Sequence, residues 1–309
     1  MSTTPFEIGV TLLLVGIFAA IYHPVGLAMV VQGLQKTGVP LAINGIFGNM
    51  GVACAAAMTG YLVDNSGWQA AFIIPGAVSI GIGVLYWVFV MSTRDRTLAA
   101  AAKKSAEPVE LPRATLIRIF SIIFFTAAIG GFVFQSTTFA LPKVFDERLA
   151  DLAQSATMVG TYAFIAFSVA AFAQLVVGYL VDNHSVRYVF VGVALMQAVF
   201  FFAMTQVEGV MALVIAIAFM LAVFGQIPIN DVLVGRIARS EWRSRAFALR
   251  YIITFSVMAT AVPLIAWIHG NWGFERLFVV LACTAFLIFL ATLFLPAFRK
   301  QSAAAVAPG

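Results

Sequence analysis

The sequence predicts an all-α fold, a polytopic bundle of membrane-spanning helices, and three observations carry that prediction. Nine apolar stretches, each about long enough to cross the roughly 30 Å hydrocarbon core of a bilayer, fill most of the 309 residues. Of the 18 Lys and Arg and 13 Asp and Glu, only Asp231 and Arg250 fall inside those stretches. The connections between them are basic on alternate sides, the asymmetry that retention of cationic loops in the cytoplasm produces.

The stretches run over 8–31, 39–63, 68–91, 119–141, 156–181, 188–204, 210–233, 246–268 and 277–295. The first carries Tyr22, His23 and Pro24, and the proline frees a backbone carbonyl one turn earlier. The second holds Asn44 and Asn49, with Gly45, Gly48 and Gly51 recurring at threes as an expected close-packing face. The third is free of charge. Residues 92–118 form the one long polar insert, with six cations and two prolines, and are expected to be a cytoplasmic linker. In the fourth stretch, Gly130 and Gly131 loosen the helix ahead of Gln135, Ser136, Thr137 and Thr138. The fifth ends in GYLVDNHSVR, and the sixth is short and apolar. Gln226, Pro228, Asn230 and Asp231 lie in the seventh and Arg250 in the eighth. The expected organisation is a partial three-span bundle over 1–91, the linker over 92–118, and a six-span bundle with a short cytoplasmic tail over 119–309.

With 10% charged and 62% hydrophobic residues, the chain is far from a soluble domain, which carries about a quarter charged residues. A pI near 9.4 does not indicate nucleic acid here, because the cations sit in short loops between spans and not on one solvated face. All but Lys143, Arg148, Arg250 and Arg276 lie on one set of alternating connections. That set is expected to be cytoplasmic, which puts the N-terminus outside and the C-terminus inside a plasma membrane, the bacterial inner membrane. Metalloprotease and nucleophile-elbow motifs are missing, and three scattered histidines make no metal site. No in-span lysine serves a retinal, no arginine ladder serves a voltage sensor, and no phosphate-binding GxxxxGK loop serves ATP. Neither an enzyme nor a cofactor is expected; the partners expected are the bilayer, a small solute and protons.

Self-comparison adds an internal repeat. A displacement of 206 residues sets LAINGI at 41–46 on FALRYI at 247–252, and Trp68 and Phe72 on Phe274 and Phe278, without a gap. A displacement of 204 sets Pro24 on Pro228. Spans one to three therefore read as a copy of spans seven to nine. Secondary transporters are commonly built from repeated three-helix units around a midplane site. If the last six spans are two units, the first three are one unit without its partner. Three further spans are then expected upstream, with a non-transporting remnant of a transporter as the alternative.

On these features the chain resembles the major facilitator superfamily, over the stretch from that family's fourth helix to its twelfth. The family's loop signature, Gly-x-x-x-Asp-Arg/Lys-x-Gly-x-Arg, is echoed by Gly178, Asp182 and Arg187, while Asn183 and Ser185 replace its cation and glycine. The antiporter-type signature would fall on Gly51, Ala55, Ala56, Thr59 and Gly60, without its central Gly-Pro. YHPVG and INGIFGNMGVA also resemble the fosmidomycin-resistance-like branch. The resemblance implies secondary active transport by alternating access and sets spans one, four and seven around a central cavity.

Polar groups within hydrocarbon must face protein or water, so each is a candidate for solute contact or coupling. These are Tyr22, His23, Asn44, Asn49, Gln135, Gln226, Asn230, Asp231 and Arg250. His23 either titrates and couples transport to protons or packs by a hydrogen bond. Arg250 suits a small anionic solute, snorkels to the nearby interface, or pairs with Asp231. Gly178, Asp182 and Arg187 form either a cytoplasmic gate or a solvated turn.

Overall fold

A computed structural model describes residues 4–32, 34, 36–101 and 112–296. The described elements are all helices: α1 (Pro5–Ala19), α2 (Tyr22–Val30), α3 (Gly38–Ser66), α4 (Ala70–Ala101), α5 (Arg113–Arg148), α6 (Ala156–Asn183), α7 (Val186–Met204), α8 (Gly209–Ile237) and α9 (Arg243–Leu293). Local chemistry starts several of them. Thr4 and Glu7 form a reciprocal capping box ahead of Pro5, and the Ser155 hydroxyl accepts from the Met158 amide at the head of α6. The first apolar stretch breaks at Ala20 and Ile21, one turn before Pro24, where the ring forbids a continuous ladder.

Eight segments are long and apolar enough to cross a bilayer among the described residues, against the nine stretches expected. The difference lies in α9, whose 51 residues hold both the eighth and the ninth. A straight helix of that length would span about 75 Å, more than twice a hydrocarbon core. Gly273 interrupts it with φ 73°, a conformation open to glycine because it has no Cβ. Phe247 and Ile288, near the two ends of α9, share one apolar cluster, whereas Ile268 and Leu277, flanking Gly273, belong to another. The two arms therefore run back along each other. Displacement by 206 residues carries Gly67, with φ 83°, onto Gly273, and α3 onto the first arm. The repeat read from sequence thus has the same corner in each copy.

The linker expected over 92–118 is shorter at both ends. Its Ala-rich start has high helix propensity and extends α4 to Ala101, while α5 begins at Arg113. Residues 102–111, at the centre of that linker, and the tail 297–309 lie outside the described residues, and Ala56, Thr59 and Gly60 are described in backbone only.

Two apolar clusters form the core. One gathers Phe145, Phe201, Phe219 and Phe278; the other gathers Ile119, Phe190, Val232 and Phe247. Where they meet, each of α5 to α9 contributes a buried polar residue: Thr126, Gln174, Gln197, Gln226 with Asn230, and Arg250 with Thr254. α3 packs along α6 and α2 against α9. Between α3 and α6 the backbones approach closely: a Cβ on Gly38 would lie 2.3 Å from the Gly178 carbonyl oxygen. By contrast α1 buries no residue, and none over 70–92 is buried, so these apolar surfaces face outward as lipid-facing helices do.

Candidate functional site

The polar level between the two clusters opens into a cavity of about 360 Å³ walled by α2, α3, α5, α8 and α9. Eight of the nine expected residues line it: Tyr22, His23, Asn44, Asn49, Gln226, Asn230, Asp231 and Arg250. Gln135 does not. On α5 the cavity-facing residues are Ala127, Gly130, Gly131 and Phe134, and Gln135 stands about 100° round the helix from Phe134. The hydroxyls of Thr137 and Thr138 are spent on their own helix, donating to the Val133 and Phe134 carbonyls at 2.9 and 2.8 Å.

Arg250 and Asp231 are both buried and form a salt bridge through Nη1 and Oδ1. Pairing with Asp231, one of the readings open for Arg250, is thus present in the structure. The guanidinium also lies over the Tyr251 ring at 4.7 Å, and the Tyr251 hydroxyl reaches Asp231 Oδ1 at 3.5 Å. His23 stacks on Tyr251, with centroids 4.4 Å apart and planes 25° apart, and meets Phe255 edge-on at 5.4 Å. One ring thus links α2, and hence the first block of helices, to the charged pair in the second. On α3, Asn44 accepts from the Tyr22 hydroxyl at 2.7 Å, and Asn49 is buried.

A second set of bonds holds the cavity's floor. Gln197 Nε2 donates to Gln226 Oε1 at 2.6 Å and to the Ala222 carbonyl at 3.1 Å. The Thr126 hydroxyl bridges the Ile122 carbonyl at 2.8 Å and the Asn230 amide at 3.1 Å. Gly130 is needed for this arrangement, since a Cβ there would meet Gln226 Nε2 at 2.6 Å. The glycines of α3 behave differently from the single packing face expected. Gly45 is a close contact with Gln174, but a Cβ on Gly48 or Gly51 would meet nothing within 4 Å, and Gly48 lines the cavity. Three-residue spacing turns about 300° per step on a helix, so the three glycines drift around it and do not share one face.

The loop signature lies at one end of the bundle. Asp182 accepts from the Gly38 amide at 2.8 Å and the Val39 amide at 2.9 Å, capping α3, and its Oδ1 also takes Arg236 Nη2 at 2.7 Å. Lys36 adds a bond to Asn183 at 3.2 Å. Gly178 fits because a Cβ would meet both the Ala42 Cβ and the Gly38 carbonyl oxygen at 2.7 Å. Arg187 is half-buried and makes no ion pair among the described residues. Sequence reading missed Tyr251, Gln174, Gln197 and Arg236. The two glutamines were legible as in-span polar groups, whereas Tyr251 carries no such signal, because tyrosine is common at membrane interfaces.

The family model of the Major Facilitator Superfamily matches residues 1–150 and 147–308, nearly the whole chain. The chain belongs to the major facilitator superfamily. That family consists of membrane transporters, and its repeated helical units suit the shared Gly67 and Gly273 corners of this member. No curated relative matches the chain. Within this superfamily member, the register of the repeat extends to the cavity wall. Leu41, Asn44, Gly45, Gly48, Asn49 and Val52 line it from α3, and displacement by 206 residues carries all of these but Leu41 onto residues that line it from α9: Arg250, Tyr251, Thr254, Phe255 and Met258.

Proposed function

We propose that this chain is a secondary active transporter that moves a small organic solute through the cavity by alternating access, with protons as the coupling ion. The convergence of eight in-span polar residues from four helices on one cavity carries this reading, because polar groups scattered for packing alone would not share a site. His23 is the proton-coupling residue: its stack on Tyr251 sets it one ring away from the Asp231–Arg250 pair. In this reading the hairpin of α9 crosses the membrane twice, giving nine crossings with the N-terminus outside. The basic connections 182–187 and 234–245 are then cytoplasmic, and so is the Asp182 cluster. Asp182 closes that side by holding the first turn of α3 against α6 and α8. Opening to the cytoplasm exchanges those bonds for water. The YHPVG string favours a fosmidomycin-resistance-like branch within the superfamily.

The test is uptake of a panel of radiolabelled small organic solutes by proteoliposomes, with and without an imposed pH gradient. Uptake of at least one solute is expected to follow the gradient. It should fall to background in Arg250→Ala and lose its dependence on the gradient in His23→Ala. Unchanged transport in both variants removes the two residues from the mechanism.

A further inference from the structure

We propose that the solute is a small zwitterion on a flat apolar body, bound with its charged head at the Asp231–Arg250 pair. The inference rests on reading the cavity as the solute site and concerns what that site selects. Expectation of an anion came from a lone in-span cation, but Arg250 is already neutralised by Asp231. Among the lining residues Asp231 and Arg250 are the only fixed charges, so with His23 neutral the site balances to zero. A solute with net charge would leave one charge in the site uncompensated, which burial penalises heavily.

The pair is also incompletely satisfied. Only Nη1 of the guanidinium meets the carboxylate, and only through Oδ1. Arginine carries five donors and a carboxylate two acceptor oxygens, and the Tyr251 hydroxyl meets the same Oδ1 as Arg250, so capacity remains on both groups. A solute carboxylate has donors to take from Arg250, and a solute ammonium has an acceptor in Asp231. Asn49 is 6% exposed and lines the same cavity, and its side chain, which makes no hydrogen bond to a described residue, supplies a further neutral contact.

The walls define the rest of the solute. The stacked His23 and Tyr251 rings stand on one side. In the α3 wall, Gly48 has open space where a side chain would be. Phe134 and Phe255 line the same cavity, which suits a flat apolar body, and a volume of about 360 Å³ is near the lower end of small-molecule pockets, which run from roughly 300 to 1,000 Å³.

Three probes share one body and differ in charge: phenylalanine, 3-phenylpropanoate and phenethylamine. Their binding to the purified full chain in detergent is measured by calorimetry. Phenylalanine is expected to bind best, with each ion weaker by about tenfold or more for the charge-assisted contact it lacks. Asp231→Asn should move the preference to phenylpropanoate and Arg250→Gln to phenethylamine. Gly48→Leu should abolish binding, and Gly51→Leu, equally unobstructed but off the cavity, should not. Each variant is first checked for a monodisperse gel-filtration peak, and an Asp231→Asn/Arg250→Gln double variant keeps the charge balance where a single variant fails to fold. In that double variant, the zwitterion should lose its advantage over both ions. Equal affinity for the three probes, preference of the native chain for either ion, or binding of none of them overturns the proposal. Correct ranking without uptake in vesicles instead strikes the transport reading and leaves the selectivity standing.

Discussion

α3 and the first arm of α9 share five register positions that face one cavity; beside Leu41, α3 offers Asn44, Gly45, Gly48, Asn49 and Val52 where α9 offers Arg250, Tyr251, Thr254, Phe255 and Met258. One wall is small and neutral; the other is bulky and charged. A duplicated backbone therefore does not imply duplicated chemistry. The repeat conserves which residues face inward, because helix period and corner position set that, while side-chain identity is free to diverge. The divergence is complementary in bulk: where α9 carries a ring at Tyr251, α3 carries Gly45, whose missing side chain leaves space that Gln174 of α6 fills.

Substitutions at matched positions sharpen this contrast, and reversible unfolding in mixed detergent, followed by helicity, reads them. Arg250→Ala is expected to have the largest effect, a loss of about 3–5 kcal/mol, because it leaves the buried Asp231 carboxylate without its partner. Its counterpart Asn44→Ala loses one hydrogen bond from the Tyr22 hydroxyl, so about 0.5–1.5 kcal/mol is expected. Equal losses at the two positions would break the comparison.

At the next pair the effect comes from space. Gly45→Ala places a Cβ 2.1 Å from Gln174 Oε1, so overpacking of about 1–3 kcal/mol is expected unless the glutamine side chain swings away. Relief by a second substitution, Gln174→Ala, distinguishes this clash from a general intolerance of α3. Thr254→Val removes a weak interhelical bond to the Ala127 carbonyl at 3.4 Å and is expected to cost about 0.6 kcal/mol, the average for such bonds in membranes. Gly48→Ala, the matched change on α3, meets nothing within 4 Å and should be neutral or stabilising by up to about 1 kcal/mol through helix propensity. Destabilisation there would mean that the wall is less open than the geometry shows.

The sequence by itself determined the membrane class, the limits of most helices and the register of the repeat. Apolar length, charge exclusion and helix period are local properties that a bilayer reads directly. It also marked eight of the residues that line the cavity, because a polar side chain in hydrocarbon is conspicuous whatever it does. Gln135 met the same criterion and lies elsewhere, since conspicuousness does not report the angle at which a helix is turned toward its neighbours. Only the tertiary structure decided that Arg250 is paired and not free, that Tyr251 joins His23 to that pair, and that Asp182 caps a helix 144 residues earlier in the chain. These facts depend on how helices distant in sequence are rotated and spaced. Packing sets that rotation through contacts such as Gly38 on Gly178, which no single segment contains.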